Sequence, residues 1–206
     1  MGKILIIFIF LICSCSVIHK IPEVSLNSKY VVLDKVKMKI SSANYGNIVL
    51  KGYISIVHDS VLCFNLNGPL GLKVLSGKFS EQFIVKDYYN DRLYTDVLKE
   101  MILKSGITFN KICLENIILS RVDSLSSQLK RLNANIVEVK AEEYVKKRTL
   151  TIVNPVKNNS FKFDFILKRK LPHEINIFYQ GYNENWEVKI EVISISNQEK
   201  KCNFVI

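Results

Sequence analysis

The sequence predicts an α+β fold that is mainly β: one strongly curved antiparallel sheet, an open half-barrel, with two or three helices on its concave side. Three observations carry this expectation. First, Asn47 to Leu66, NIVLKGYISIVHDSVLCFNL, alternates with period two. Ile48, Leu50, Ile54 and Ile56 share one face, and Val49, Lys51, Tyr53 and Ser55 the other. After His58-Asp59-Ser60 the alternation resumes through Leu62, Phe64 and Leu66, which reads as an antiparallel hairpin. Second, Gly52 interrupts the inward row without ending the strand, which signals a bulge or bend and hence a curved sheet. Third, the period changes to helical spacing in one block midway along the chain, and strands then resume.

The first fifteen residues stand outside that fold. Lys3 supplies a positive start, and Ile4 to Ile12 is an unbroken apolar run of nine residues. A bilayer span needs about twenty, so the segment reads as a secretory signal. Its end, Leu11-Ile12-Cys13-Ser14-Cys15-Ser16, looks like a bacterial lipobox: an aliphatic residue, a small residue, then cysteine. In this reading cleavage precedes Cys15, whose thiol is diacylated, and the anchor is membrane lipid. The alternative is an ordinary cleaved signal with incidental cysteines. Residues 16–29 form a tether, in which Val24 to Val31 admits a short helix, and residues 30–206 form a single domain.

Within that domain Val36, Met38 and Ile40 oppose Lys35, Lys37 and Lys39, a half-buried strand that ends near Asn44-Tyr45-Gly46. The Asn47–Leu66 hairpin follows. Asn67-Gly68-Pro69-Leu70-Gly71-Leu72 is a loop that displays two leucines, and Lys73–Phe79 with Glu81–Lys86 makes a second hairpin-like pair. Leu93, Val97, Met101 and Ile102 set a helix over Arg92–Lys104, stopped at Ser105-Gly106. Thr108 or Asn110 caps a second helix running to about Leu119. Phe109, Ile112, Cys113, Leu114, Ile117 and Ile118 cover nearly its whole circumference, so it is expected inside the sheet's concavity. Val122 to Asn135 reads as linker or short helix. Strands follow around Thr149–Val153, Phe161–Leu167, Ile175–Tyr179 and Trp186–Val192, with a short last one at Asn203–Ile206.

The chain has 206 residues, 48% of them apolar, enough for one full core without disulfides. A domain of this size buries roughly 70% of the surface its unfolded chain exposes. The net charge of +10 points, in an exported protein, to anionic lipid headgroups or acidic proteins and not to nucleic acid; a solvated lysine-rich surface explains it equally well. After the leader, Cys15, Cys63, Cys113 and Cys202 remain, none at metal-ligand spacing. Cys63 and Cys113 read as small buried hydrophobes, with a Cys63–Cys113 or Cys113–Cys202 disulfide as the alternative.

Catalytic patterns are missing from the sequence. There is no GxSxG and no Gly-rich phosphate loop. His58-Asp59-Ser60 are adjacent in a tight turn and cannot converge on one substrate; Asp59 is the turn former. Glu142-Glu143 and the Asp87/Asp91 pair sit in polar company, where nothing separates acid from base. The chain is read as a non-enzyme without cofactor or metal.

From Cys15 through a strand and then GYISIVHDSVLCFNLNGPLGLKVLSGKFSEQFIVKDYYNDRLY into two helices, the pattern resembles an uncharacterised family of Bacteroidetes lipoproteins. That family shows a Lys/His-Asp-Ser turn between strands, a Pro-Leu-Gly-type loop and an Asp/Asn-rich step into a Tyr-containing segment. The resemblance covers roughly Val32 to Leu119. It implies a fold related to the lipoprotein carriers LolA and LolB, an unclosed β-barrel whose helices plug a hydrophobic cavity. It also implies that Leu70, with Leu72 beside it, is the exposed apolar loop residue that helps move acyl chains into the membrane. A tucked Leu70 lying over the sheet edge is the alternative.

Two functions follow. One is a non-catalytic lipoprotein that binds or transfers a lipid or a lipoprotein acyl chain, with Leu50, Ile54, Phe64, Phe163, Phe165 and Trp186 lining the concavity. These same inward rows are equally what a closed core against the helices requires. The other is a structural or scaffolding lipoprotein that binds another envelope protein through its lysine-rich face or a sheet edge. Ser16-Val17-Ile18-His19-Lys20 lacks an Asp in second position, which resembles inner-membrane retention, and lacks the acidic cluster that resembles surface export. The expected location is the outer membrane, facing the periplasm.

Overall fold

The computed structural model describes residues 24–42, 46–133, 138–144, 146–182, 184–202 and 204. The leader, Cys15 and most of the tether lie outside these residues. Eleven strands among them form one antiparallel sheet: β1 (Tyr30–Ser42), β2 (Gly46–Val57), β3 (Val61–Asn67), β4 (Lys73–Phe79), β5 (Phe83–Asp87), β6 (Arg92–Tyr94), β7 (Glu138–Glu143), β8 (Lys147–Asn154), β9 (Asn159–Lys168), β10 (Leu171–Gln180) and β11 (Asn185–Ser196). Their order is β6-β5-β4-β3-β2-β1-β11-β10-β9-β8-β7, so the sheet is not closed and β6 and β7 are its edges. Within the sheet, strands β1–β6 meet strands β7–β11 only where β1 pairs with β11.

Three helices sit between β6 and β7: α1 (Val97–Ser105), α2 (Lys111–Ile118) and α3 (Val122–Leu132). One face of every long strand joins them in a common core. Val31 and Leu33 of β1, Ile54 and Ile56 of β2, Leu62 of β3, Leu150 of β8 and Phe161, Phe163 and Phe165 of β9 cluster with Ile107, Phe109, Cys113, Ile117, Leu125 and Leu129. Phe109 stands edge-on to Phe161 at 5.2 Å and to Phe163 at 6.4 Å. Burying a side chain of this size fully is worth about 1.5–3 kcal/mol, so this layer fixes where the helices lie.

The expected bend is present at Gly52, and the strand pairing explains it. Between Leu33↔Ile54 and Val36↔Gly52, β1 carries one residue more than β2, so Asp34 and Lys35 together oppose Tyr53. A two-against-one bulge of this kind bends and twists the strand. Gly52 itself is required by close approach on its other side: a Cβ there would lie 1.8 Å from the Asn65 carbonyl oxygen.

Several expectations are corrected. Arg92–Tyr94 is an edge strand, and the helix starts at Val97 instead of Arg92. Residues 24–31 form a turn and the start of β1, not a helix, because Val31 and Val32 are drawn into the sheet. Of the two readings open for residues 122–135, linker or short helix, the helix holds: residues 122–132 are helix α3, with Val122, Leu125 and Leu129 buried on one side. Glu138–Glu143 is an additional strand paired with β8. The expected last strand falls partly on residues outside those described, and 201, 202 and 204 are not strand.

The helix ends show why the block stops where it does. Gly106, at φ +67°, closes α1 in the left-handed conformation, and its N–H donates to the Ile102 carbonyl at 2.7 Å. Asn154 Nδ2 donates to the Ser105 and Gly106 carbonyls, and Asn159 Nδ2 to that of Lys104. The β8–β9 turn therefore caps α1 from below. Asn110 caps α2, its side chain accepting from Cys113 N–H at 2.9 Å.

Candidate functional site

The concave face is not covered evenly. Where β1 begins and β2 ends, α2 and the N-terminal segment close over it. His58, in the β2–β3 turn, hydrogen-bonds the Glu115 carboxylate of α2 through Nδ1, and its Nε2 donates to the Leu26 carbonyl at 3.0 Å. Arg121, between α2 and α3, donates to the same Leu26 carbonyl and to Asn27 Oδ1, and lies 3.8 Å from Glu115. Glu115 is buried, and these partners satisfy it. The cluster ties sheet, plug helices and N-terminal segment together. His58 is thus a latch residue, while Asp59 and Ser60 beside it point to solvent.

At the other end of the same strands the cover stops. Ile48↔Ile40, Ile40↔Val188 and Val188↔Ile177 are direct cross-strand neighbours on the concave face, an apolar row over β2, β1, β11 and β10. Ile48 is 42% exposed, and Ile40, Val188 and Ile177 are half-buried. Met38 and Trp186 flank the row, half-buried as well, and Trp186 stacks on Tyr179 at 5.3 Å. At this end of the sheet Trp186 also reaches the edge of an open depression of about 620 Å3 whose other lining, Ser41, Asn47, Lys162 and Phe178 among it, belongs to the convex face and not to the row. We take this rim as the candidate site.

The sequence-derived lining residues separate into two groups here. Leu50, Ile54, Phe163 and Phe165 are sealed in the core. Phe64 is half-buried, under the Phe83 ring at 6.4 Å, and Trp186 is at the rim. The residues that sequence reasoning did not single out are Ile40, Ile48, Ile177 and Val188. Their alternation is the same as that of the sealed rows, so no local signal separates them.

The Pro69–Gly71 segment is a single 3-10 turn in which Leu70 takes a left-handed φ of 62°. Its side chain is 98% exposed and does not fold back over the sheet edge; Leu72 is 68% exposed. Leu70 borders an open depression of about 640 Å3 on the convex side, together with Lys35, Val49 and Lys51. Among the described residues, no helix is long and apolar enough to cross a membrane, and no three His, Cys, Asp or Glu side chains gather as a metal site.

Cys113 belongs to the concave core, whereas Cys63, between the inward Leu62 and Phe64, faces the convex side. The two lie on opposite faces of the sheet, which rules out a Cys63–Cys113 bridge. Cys202 lies with Cys63 and not with Cys113.

Fold and rim define an open antiparallel half-barrel plugged by helices, with an apolar mouth. No family model matches the chain, and no curated protein matches it. The resemblance to a Bacteroidetes lipoprotein family therefore stands on the quoted residues alone. Among solved structures the chain is similar to a LolA superfamily protein from Nitrosomonas europaea, at 5% identity and a TM-score of 0.37 over 84% of this chain and 88% of that one. It is also similar to a redesigned β-barrel, at 7% identity and a TM-score of 0.27 over 78% and 90%. Both likenesses are distant, and neither says what this chain binds.

Proposed function

We propose that the chain is an outer-membrane-anchored periplasmic lipoprotein that binds or transfers a lipid or lipoprotein acyl chain without catalysis. The observation that carries this reading is the uncovered apolar row Ile48–Ile40–Val188–Ile177 on the concave face, continuous with the core. A soluble protein gains nothing by leaving such a row half-open, and an acyl chain laid along it is the simplest cover. At about 25 cal/mol per Å2 of apolar surface removed from water, a partly enclosed chain contributes several kcal/mol. Leu70 on its turn, near Lys35 and Lys51, supports contact with an anionic membrane surface. Cys15, in its lipobox-like setting, supplies the anchor.

The test is native mass spectrometry of protein made without its lipid anchor, with extraction of what co-purifies. A bound fatty acid, phospholipid or acylated fragment is the expected result. A lipid-free protein that also fails to take up a fluorescent fatty acid while fully folded would sink the proposal and leave the scaffolding role, with another envelope protein as partner.

A further inference from the structure

After β11 the chain does not return to the concave side. It runs over the convex face, across the strands at the seam where the two halves of the sheet meet. Asn197 grips the N-terminal segment: its Nδ2 donates to the Ser25 and Tyr30 carbonyls at 2.9 and 2.8 Å, and its Oδ1 accepts from Ser25 N–H at 2.8 Å. Three residues on, the Lys200 carbonyl accepts from Ser55 Oγ of β2 at 3.3 Å. The Lys200 ammonium sits over the Tyr53 ring at 3.9 Å. This strap explains an otherwise odd feature of the convex face. Val32, Ser55 and Cys63 are buried there although they point away from the core.

Cys63 is the direct cross-strand partner of Ser55, so the strap's next step from Lys200 leads to it. The strap thus brings the Cys202 side chain against that of Cys63, close enough for each thiol to act on the other. Their environments differ in a useful way. Cys63 is buried and its thiol is pushed up, first by its hydrogen bond to Cys202 and then by burial. Cys202 is half-exposed, and its thiol is held below the ordinary value by the hydrogen bond from Cys63, with the Lys78 ammonium acting in the same sense against burial.

We propose that Cys63 and Cys202 are a disulfide pair that staples the C-terminal strap to β3 across the convex face. The oxidant is a disulfide-bearing molecule of the thiol-exchange class. The Cys202 thiolate attacks one of its sulfurs, forming a mixed disulfide and releasing the other sulfur as a thiolate. Cys63 then loses its proton and attacks the Cys202 sulfur, and the oxidant's second sulfur leaves. In sum the two protein thiols give up two protons and two electrons, and the oxidant's disulfide becomes two thiols. The product joins β3, in the first half of the chain, to the segment that follows β11. It thereby locks the β1–β11 seam from outside, where the pairing is already irregular around Leu33, Lys35 and Val36. Cys113, inside the core, takes no part.

The full-length chain in detergent is incubated with excess oxidised glutathione, alkylated, digested and analysed by mass spectrometry without reduction. The expected product is one peptide pair linked through Cys63 and Cys202, two hydrogens lighter than the reduced peptides. The oxidised protein should melt roughly 5–15 °C above the dithiothreitol-treated form. Cys202→Ala, at a half-exposed position, should fold and show no such rise, while Cys113→Ser should keep it. Recovery of Cys63 and Cys202 only as alkylated or glutathionylated peptides overturns the proposal. So does a link through any other cysteine, or a Cys63–Cys202 link that leaves the melting temperature unmoved. None of these results touches the hydrophobic-ligand reading, which rests on the opposite face.

Discussion

Along the single strand β2, Ile54 and Ile56 are sealed while Ile48, on the same face, is open to solvent. The same contrast runs sideways through the sheet: Leu33 and Ile54 at one end, Ile40, Val188 and Ile177 at the other. Residue type does not distinguish the two ends, and neither does periodicity. What distinguishes them is reach. Helices α2 and α3 come to 8 and 11 residues, and the His58–Glu115–Arg121 latch holds them over one end of strands 12 or 13 residues long. A helix rises about 1.5 Å per residue and a strand about 3.3 Å, so a plug this short leaves strand uncovered.

The comparison breaks first if the sealed core, which meets the open row where Phe163 pairs with Ile177, proves loosely packed. Phe163, stacked between Phe161 and Phe165 and facing Phe109, has no room to be replaced. Phe163→Ala should cost about 3–5 kcal/mol in urea unfolding. A loss below about 1 kcal/mol would mean the sealed core beside the open row is itself an accessible cavity. Ile117→Ala, removing a buried contact of α2 with the same core, should cost about 2–5 kcal/mol.

The latch comes next. His58→Ala removes partners from the buried Glu115 carboxylate and from the Leu26 carbonyl, leaving Arg121 to serve both. The expected loss is about 1–3 kcal/mol. Hydrogen exchange should locate it: amides of α2 and of the β2–β3 turn should exchange faster, while those of β9 and β10 stay protected. Uniform loss of protection would show that plug and sheet open together, and that the latch has no separate role.

Much of the sealed end was legible in the sequence, and little of the rest was. The β2–β3 hairpin, the Gly52 bend and the Asn110 cap were readable because alternation and turn chemistry are local signals. Edge strands β6 and β7 were not: Arg92–Tyr94 is three residues long, and Glu138–Glu143 offers one inward apolar side chain that touches the core, Val139. Helix α3 did carry a signal, Val122, Leu125, Leu129 and Leu132 at spacings of three, four and three, masked by the serines between them. The latch joins His58 to Glu115, 57 residues apart, and no local pattern encodes such a meeting. The rim follows from helix length and placement, which only the tertiary structure sets.

The open end should respond in the reverse manner. Ile48→Asn alters a 42% exposed side chain, so the stability change should stay below about 1 kcal/mol, the scale of one cross-strand pair. Uptake of a fluorescent fatty acid should nonetheless fall several-fold, because the amide breaks the apolar row at its exposed end. Full uptake at unchanged stability would remove the rim from the binding site and point to the depression beside Trp186 instead.

The smallest effect on folding is expected at Leu70, and there the two functions of an apolar side chain separate most cleanly. Leu70 is 98% exposed on a turn fixed by Pro69 before it and by Gly71, at φ +75°, after it. An apolar side chain in that position contributes almost nothing to the core, so Leu70→Glu should change stability by less than about 0.5 kcal/mol. Its surroundings are the part that matters for a membrane. Lys35 and Lys51 border the same depression, and an anionic surface that attracts them brings Leu70 into the headgroup region, where burial of the side chain adds about 1.5–3 kcal/mol. Replacing it by glutamate removes that term and adds like-charge repulsion, so sedimentation with anionic vesicles should drop by roughly tenfold or more. Zwitterionic vesicles should show weak binding for both forms. If Leu70→Glu sediments with anionic vesicles as well as the parent protein does, the loop is a plain connector and the rim must meet its ligand without it.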